Sequence, residues 1–151
     1  MTKSSSNKGF PEPVPALVIR YAYLWRSEHA RGIEEGSKGR PCSVILVTTD
    51  SDKNQIVTVL PITHTPPKNP ALAIEIPAAT KRRLGLDDER SWIVVTEANR
   101  FAWPGPDLRP RKAGGAASIA YGLLPDALFK EVKEKFLKAV KNRRTIVKRS
   151  Q

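Results

Sequence analysis

The sequence predicts a small, mainly β protein that carries one helix near its C-terminal end. Short segments rich in β-forming residues recur between turn-forming residues, which is typical of a β-barrel or sandwich. A four-residue apolar period in the last long segment predicts an amphipathic helix over 125–142. Five or six short strands with one terminal helix favour a small closed or half-closed barrel whose open face the helix covers.

The length suits one domain. The chain has 151 residues, of which 40% are apolar, and domains of about 100–150 residues are the commonest. Residues 1–15 contain three prolines and a run of serines, and they are predicted to be a disordered tail. We expect the barrel domain over 16–142 and a basic tail over 143–151.

Five segments have the composition of strands, and turn-forming residues or glycines separate them. The polar segment 26–39 is long for a hairpin loop, and loops of that length are usually functional or mobile. Residues 49–54 form a predicted turn, and Pro61 indicates a sheet edge or a strand end. A short helix is expected over 78–84, and residues 100–115 are predicted to be irregular. The strands are expected over 16–25, 41–48, 55–63, 71–76 and 91–97.

Basic residues dominate the composition. Twenty-six Lys and Arg against fifteen Asp and Glu give a net charge of +11 and a pI near 10.1. Such a charge attracts polyanions, because each neutralised phosphate releases condensed counterions. Nucleic acid is the first candidate partner, an acidic protein the second and an anionic membrane surface the third. The segment 130–149 has nine Lys or Arg against two Glu, and it is either a solvated helix face or a surface that tracks phosphates or docks an acidic protein.

Cys42 is the single cysteine, and it lies against an apolar run. This predicts an inert buried thiol and excludes an internal disulfide. No apolar stretch approaches the roughly 18–20 residues of a membrane span, and the N-terminal residues lack the apolar core of a secretory signal. We therefore expect a protein of the reducing cytoplasm that does not enter a membrane.

The sequence offers few catalytic groups. His29 and His64 are the two histidines, and they have no metal-ligand spacing. The motifs of nucleotide-binding loops and of serine hydrolases are absent, so an NTPase, a serine hydrolase and a metalloenzyme are all disfavoured and no cofactor is expected. What remains is a pair of strand ends: Arg40 opens the second strand, and Thr63 closes the third. If those strands are antiparallel neighbours, Arg40 and Thr63 face each other at the mouth of the barrel.

Five short motifs follow one another along the chain. They are Gly39-Arg40-Pro41, Pro61-Ile62-Thr63, Ile74-Glu75-Ile76, Ser91-Trp92-Ile93 and Glu97-Ala98-Asn99-Arg100. Their order resembles the MazF/PemK toxins over roughly residues 16–142. The resemblance implies an SH3-like barrel of the MazF/CcdB type that forms a homodimer, cleaves single-stranded RNA without a metal and is blocked by an acidic antitoxin protein.

By this resemblance Arg40 and Thr63 are the catalytic arginine and threonine. Cleavage of RNA without a metal uses the neighbouring 2′-OH as the nucleophile, and the charge on the phosphoryl oxygens must be stabilised. A guanidinium fits a phosphate, and a threonine hydroxyl donates a hydrogen bond to it. Imidazole titrates near neutral pH, so His64 is a candidate for the proton transfer. Adjacent strand residues point to opposite faces, so His64 and Thr63 both face the site only if the strand has already ended.

Four further residues are expected to contact the RNA. The resemblance assigns Glu35 in the loop before the second strand and Arg100 after the fifth strand, and Lys38 of the same loop is a further candidate. Trp103 is the best candidate for an exposed ring on which an unpaired base stacks, a contact worth roughly 1–3 kcal/mol. Trp92 lies in an apolar strand and is expected in the core.

Two functions stay open at this point. The first is a metal-independent endoribonuclease of a toxin–antitoxin pair, which would leave a 2′,3′-cyclic phosphate and a 5′-OH. The second is a non-catalytic barrel that binds nucleic acid or a protein target such as gyrase, because the related CcdB toxins bind gyrase with the same fold. The sequence lacks the Gly-Asp pair that opens the first strand in the family, which mildly favours the second function.

Overall fold

A computed structural model describes residues 9–30, 32, 39–111, 119–142 and 146–149. Within these residues the chain forms eight strands and three α-helices. The helices are α1 (Arg26–Ala30), α2 (Ala78–Leu84) and α3 (Asp126–Asn142). The strands are β1 (Leu17–Tyr21), β2 (Arg40–Thr49), β3 (Gln55–Thr63), β4 (Ala73–Glu75), β5 (Trp92–Val94), β6 (Ala98–Ala102), β7 (Ala120–Leu123) and β8 (Ile146–Lys148).

The strands form one sheet that is antiparallel except at one edge. Its main path runs β4-β5-β3-β2-β1-β7, β6 also pairs with β3, and β8 pairs with β6 in parallel. The end strands of the path, β4 and β7, do not pair with each other among the described residues, so the sheet is not closed. The predicted mainly β fold with a C-terminal helix is confirmed at this level.

Strand β3 is the centre of the sheet, and it has two partners along one side. Its first half, Ile56–Val59, pairs with β6, and its last two residues pair with β5. Pro61 lies between the two pairings and is buried. A proline has no N–H to donate, so a position where the strand changes partner accommodates it without a lost ladder bond.

Two apolar cores lie against the sheet. The first contains Val132 and Phe136 of α3, which confirms the predicted amphipathic helix. The second is aromatic, and in it Tyr21 stacks on Phe101 with ring centroids 4.6 Å apart. Cys42 belongs to this second core as predicted, and burial raises the pKa of its thiol. No helix among the described residues is long and apolar enough to cross a membrane.

Four elements were not predicted from the sequence: α1, β6, β7 and β8. Residues 100–115 were expected to be irregular, yet β6 covers the first three of them. Strand β6 carries a buried polar residue, Asn99, and β7 contains Gly122 at a φ of 136°. Both features lower the β-strand signal, because asparagine and glycine are depleted in strands.

The C-terminal strand is held by one buried arginine. Arg149 follows β8, and its guanidinium forms an ion pair with Asp107 at 3.2 Å. It also donates to Tyr21 Oη at 3.2 Å and to Asn99 Oδ1 at 3.0 Å. The amide of Asn99 further binds both the N–H and the carbonyl of Leu24, at 2.9 and 2.8 Å. Arg149 therefore connects β8 to the segment that follows β1.

Candidate active site

A cleft lies where β1, β2 and β3 meet α2. Its volume is about 730 Å³. Pairing between β1 and β2 sets Arg20 opposite Pro41, so the end of β1 and the start of β2 form one wall. The end of β3 and the segment after α2 form the other. The ionisable side chains that line the cleft are Arg20, Arg40, His64, Lys81, Asp87 and Arg111.

Lys81 is a buried cation on the cleft wall. Its ammonium donates to Asp87 Oδ1 at 2.5 Å, to Ser91 Oγ at 2.7 Å and to the carbonyl of Glu89. Three acceptors match the three N–H groups of an ammonium, so the charge is satisfied although the residue is buried. The network ties α2 to the start of β5.

His64 lies beside this network and is exposed to the cleft. Its Nε2 is 2.7 Å from Asp87 Oδ2, and its Nδ1 is 3.9 Å from Glu89 Oε1. Partial burial of Asp87 opposes ionisation, but the hydrogen bonds from Lys81 and His64 outweigh it and hold the pKa of this carboxyl below its ordinary value. The carboxylate therefore orients the imidazole, and the second ring nitrogen, Nδ1, has no hydrogen-bond partner among the described residues.

His64, Asp87 and Glu89 also offer three ligand atoms within 4.8 Å of one another. Both oxygens of Asp87 already accept hydrogen bonds, one of them from an ammonium. A divalent cation at this point would meet the positive charge of Lys81 at close range. The donor set therefore suits a proton relay better than a metal.

Arg40 reaches the cleft from the start of β2. One of its terminal nitrogens donates to the carbonyl of Ile62 at 3.3 Å, and its guanidinium lies over the ring of Trp25, 5.0 Å from the centroid. Its Nε is buried and has no hydrogen-bond partner among the described residues. The guanidinium is therefore fixed in place, but part of its hydrogen-bonding capacity remains open.

The pairing of β2 with β3 sets Cys42 opposite Pro61, and the same register continued by two residues brings Arg40 beside Thr63. The two residues are thus neighbours at one rim. Ile62 and His64 line the cleft, however, and Thr63 does not. Thr63 is half-buried, pairs with Trp92 of β5, and its Oγ1 accepts a hydrogen bond from the N–H of Thr65 at 3.2 Å. The structure brings Arg40 and His64 into one cleft and leaves Thr63 at its edge.

Two of the residues expected to contact RNA, Arg100 and Trp103, do not line the cleft. Arg100 is half-buried in β6, between Thr58 of β3 and Lys148 of β8, and does not line the cleft. The expectation of an exposed ring at Trp103 is wrong, because the ring is 5% exposed in the aromatic core, where it stacks near Phe101. Glu35 and Lys38 lie outside the described residues. Trp92 is buried, as predicted.

Several cleft residues were not found from the sequence. Arg20 and Tyr121 come from paired strands about a hundred residues apart, and no local pattern connects them. Lys81 did carry a signal: it lies three residues before buried Leu84, on the inward face of α2. A lysine at an apolar helix position predicts a buried partner, which is Asp87.

No protein-family model matches the sequence, and no curated protein matches it. The assignment of a function to the cleft therefore depends on the chemistry of its residues.

Proposed function

We propose that the protein is a metal-independent endoribonuclease that cleaves single-stranded RNA in this cleft. The observation that carries the proposal is an imidazole held by a carboxylate, His64 on Asp87, in a cleft lined by four basic side chains. The net charge of +11 and the single buried thiol fit an RNA-binding protein of a reducing cytoplasm.

The basic side chains would hold the RNA backbone. Arginine presents a planar fork of donors that matches two phosphate oxygens. One terminal nitrogen of Arg40 is anchored by the carbonyl of Ile62 and the guanidinium lies over Trp25, so the fork loses little further freedom on binding. We assign the scissile phosphate to Arg40.

His64 would move the protons. The 2′-OH of the ribose loses its proton to the free imidazole nitrogen and attacks the adjacent phosphorus, forming the 2′-O–P bond. Asp87 stabilises the imidazolium that results, as a carboxylate does beside a catalytic histidine. The P–O5′ bond then breaks, and the leaving 5′ oxygen takes up the proton that the His64 imidazolium returns. The products are a 2′,3′-cyclic phosphate and a 5′-OH.

Thr63 has a supporting role in this proposal. Its Oγ1 accepts from the N–H of Thr65, which leaves its own O–H free to donate at the cleft edge. The resemblance to the MazF/PemK toxins adds a homodimer and an acidic antitoxin protein to the proposal, and a complex between this basic chain and an acidic protein is electrostatically favourable.

Incubation of the purified protein with an unstructured RNA in EDTA tests this function, with the product ends mapped. We expect cleavage with cyclic phosphate ends, and His64→Gln should lower the rate by roughly 10²–10⁴-fold because general acid–base catalysis contributes about that much. Arg40→Ala should lower it strongly as well. Lys141→Ala is the control, since Lys141 is exposed on α3. RNA left intact after hours by the wild-type protein would refute the proposal.

A second candidate, a non-catalytic barrel that binds nucleic acid or a protein, is favoured by one observation. Thr63 does not line the cleft, and the Arg40 guanidinium is already engaged by Ile62 and Trp25. Growth inhibition that survives the combined Arg40→Ala and Thr63→Ala substitutions would support binding without catalysis.

A further inference from the structure

We infer that Arg20, Arg111 and Tyr121 form a second phosphate subsite at one end of the cleft, which takes the phosphate next to the scissile one. The inference rests on the proposed function, since it assigns the neighbouring group of the same RNA strand. It concerns residues that the reaction itself does not use.

The pairing of β1 with β7 brings Arg20 near Tyr121, and Arg111 reaches them from the segment after β6. Val18 lies opposite Gly122 and Ile19 lies opposite Ala120, so Tyr121 is the extra residue at a β-bulge close to Arg20. An Arg20 terminal nitrogen donates to Tyr121 Oη at 3.5 Å. The Arg111 guanidinium lies over the Tyr121 ring, 4.8 Å from the centroid, and donates to the carbonyl of Ala120 at 3.0 Å. Both guanidinium groups are thus positioned around one phenol.

No carboxylate in the described part of the chain neutralises the charge at this place. Neither Arg20 nor Arg111 forms an ion pair there, although both are half-buried. Lys81, by contrast, has Asp87, and exposed Arg90 has Glu75 at 2.8 Å. Two half-buried cations that no described carboxylate pairs with raise the local concentration of an anion in the cleft.

The backbone leaves room for this arrangement. A Cβ at Gly39 would lie 3.0 Å from Arg20 Cγ and 2.9 Å from Arg109 Cβ, so only glycine lets the Arg20 stem lie where it does. The terminal nitrogen of Arg111 comes within 3.5 Å of where a Cβ on Gly85 would be. Close packing of the Arg20 stem limits its freedom, which lowers the entropy lost when an anion binds.

A phosphate fits the subsite better than a base does. Arg111 already covers one face of the Tyr121 ring, so that face is closed to stacking. The groups that remain are guanidinium N–H donors, which match phosphate oxygens in number and geometry. The subsite therefore reads the backbone and not the sequence of the RNA.

Titration with a deoxydinucleotide, with and without an added terminal phosphate at the 5′ or 3′ end, tests the subsite without any cleavage. In the wild-type protein one of the two added phosphates should improve the affinity by roughly tenfold, as charge-assisted hydrogen bonds do. Arg111→Ala should abolish that gain, so that the phosphorylated and the unphosphorylated dinucleotides bind this variant with the same affinity. Lys141→Ala should keep the gain.

Arg111→Lys is the second variant, because it keeps the charge but loses the fork, and it should reduce the gain only in part. A gain that is unchanged in Arg111→Ala and in Arg20→Ala, or no gain from either added phosphate, overturns the inference. If the wild-type protein shows the gain but leaves RNA intact, the nuclease proposal falls and the phosphate subsite stands. If the protein cleaves RNA but shows no gain from either added phosphate, the phosphate subsite falls and the nuclease proposal stands.

Discussion

Lys81 and Arg149 are both buried cations in the described part of the chain, and their surroundings differ. The side chain of Lys81 is 5% exposed and that of Arg149 is 4% exposed. The carboxylate that pairs with Lys81 is 48% exposed, faces the cleft and also holds His64. The carboxylate that pairs with Arg149, Asp107, is 14% exposed. One pair opens onto a cleft, and the other is almost fully enclosed.

This difference separates two uses of a buried charge. An enclosed pair contributes to stability only while both members remain, because either one alone is an uncompensated charge away from water. A pair that opens onto solvent loses less when one member is removed, since water replaces the partner. The Arg149 pair is therefore a structural anchor for β8, whereas the Lys81 pair sets the position and charge of the groups around His64.

The largest expected effect belongs to Arg149→Met. The substitution leaves Asp107 enclosed and takes a donor from Asn99 and from Tyr21, so the free energy of unfolding should fall by about 3–5 kcal/mol. Urea denaturation measures it. Lys148→Met, at an exposed neighbouring residue, is the control and should have little effect. A loss below about 1 kcal/mol for Arg149→Met would erase the distinction between the two pairs.

A smaller loss is expected for Lys81→Met. The methionine fills a similar volume and Asp87 can be hydrated, but Ser91 and the Glu89 carbonyl lose a donor, so the loss should be about 1–3 kcal/mol. The same denaturation measurement applies. RNA cleavage should also fall, because Asp87 is no longer held toward His64. Unchanged cleavage in a folded Lys81→Met protein would show that the network does not serve the site.

The smallest effect is a dependence on pH. The hydrogen bonds from Lys81 and His64 lower the pKa of Asp87, so the folded state binds fewer protons here than the unfolded chain. The stability from the ionised carboxylate is thus present above the ordinary aspartate pKa of about 3.9, and it is lost as the pH falls through the lower folded value. The stability difference between wild type and Asp87→Asn should therefore shrink below about pH 4.

Thermal unfolding between pH 6 and pH 3 measures that difference, with Asp88→Asn as the control at the exposed next residue. A difference between wild type and Asp87→Asn that stays constant down to pH 3 would mean that the carboxylate contributes nothing through its charge.

The sequence predicted those parts of the fold that have a local signal. The four-residue period of Val132 and Phe136 located α3, and the apolar runs located β2 and β3. Strands β6 and β7 escaped prediction because Asn99 and Gly122 interrupt their β-forming residues. Trp103 was predicted to be exposed because prolines and charged residues lie near it in the chain. The alternation of side chains along β6, continued by one residue, instead places both Phe101 and Trp103 in the aromatic core.

The candidate site shows the same limit. Arg40, Thr63 and His64 were found because they stand at the ends of strands that are adjacent in the chain, so one turn brings them together. Arg20 and Tyr121 meet only through the pairing of β1 with β7, which depends on the whole sheet, and Arg111 joins them by its contacts with β7. Contacts of this kind are not specified within any short window of sequence.

A single side-chain amide has a consequence at long range. Asn99 holds the backbone of Leu24 with one hydrogen bond in each direction and also accepts from Arg149. The next residue, Trp25, carries the ring over which the Arg40 guanidinium lies. Detachment of β8 would remove one of the two donors to Asn99 Oδ1. The amide would then hold Leu24, the residue before Trp25, less firmly. The occupancy of an edge strand and the alignment of the Arg40 guanidinium are thereby thermodynamically linked.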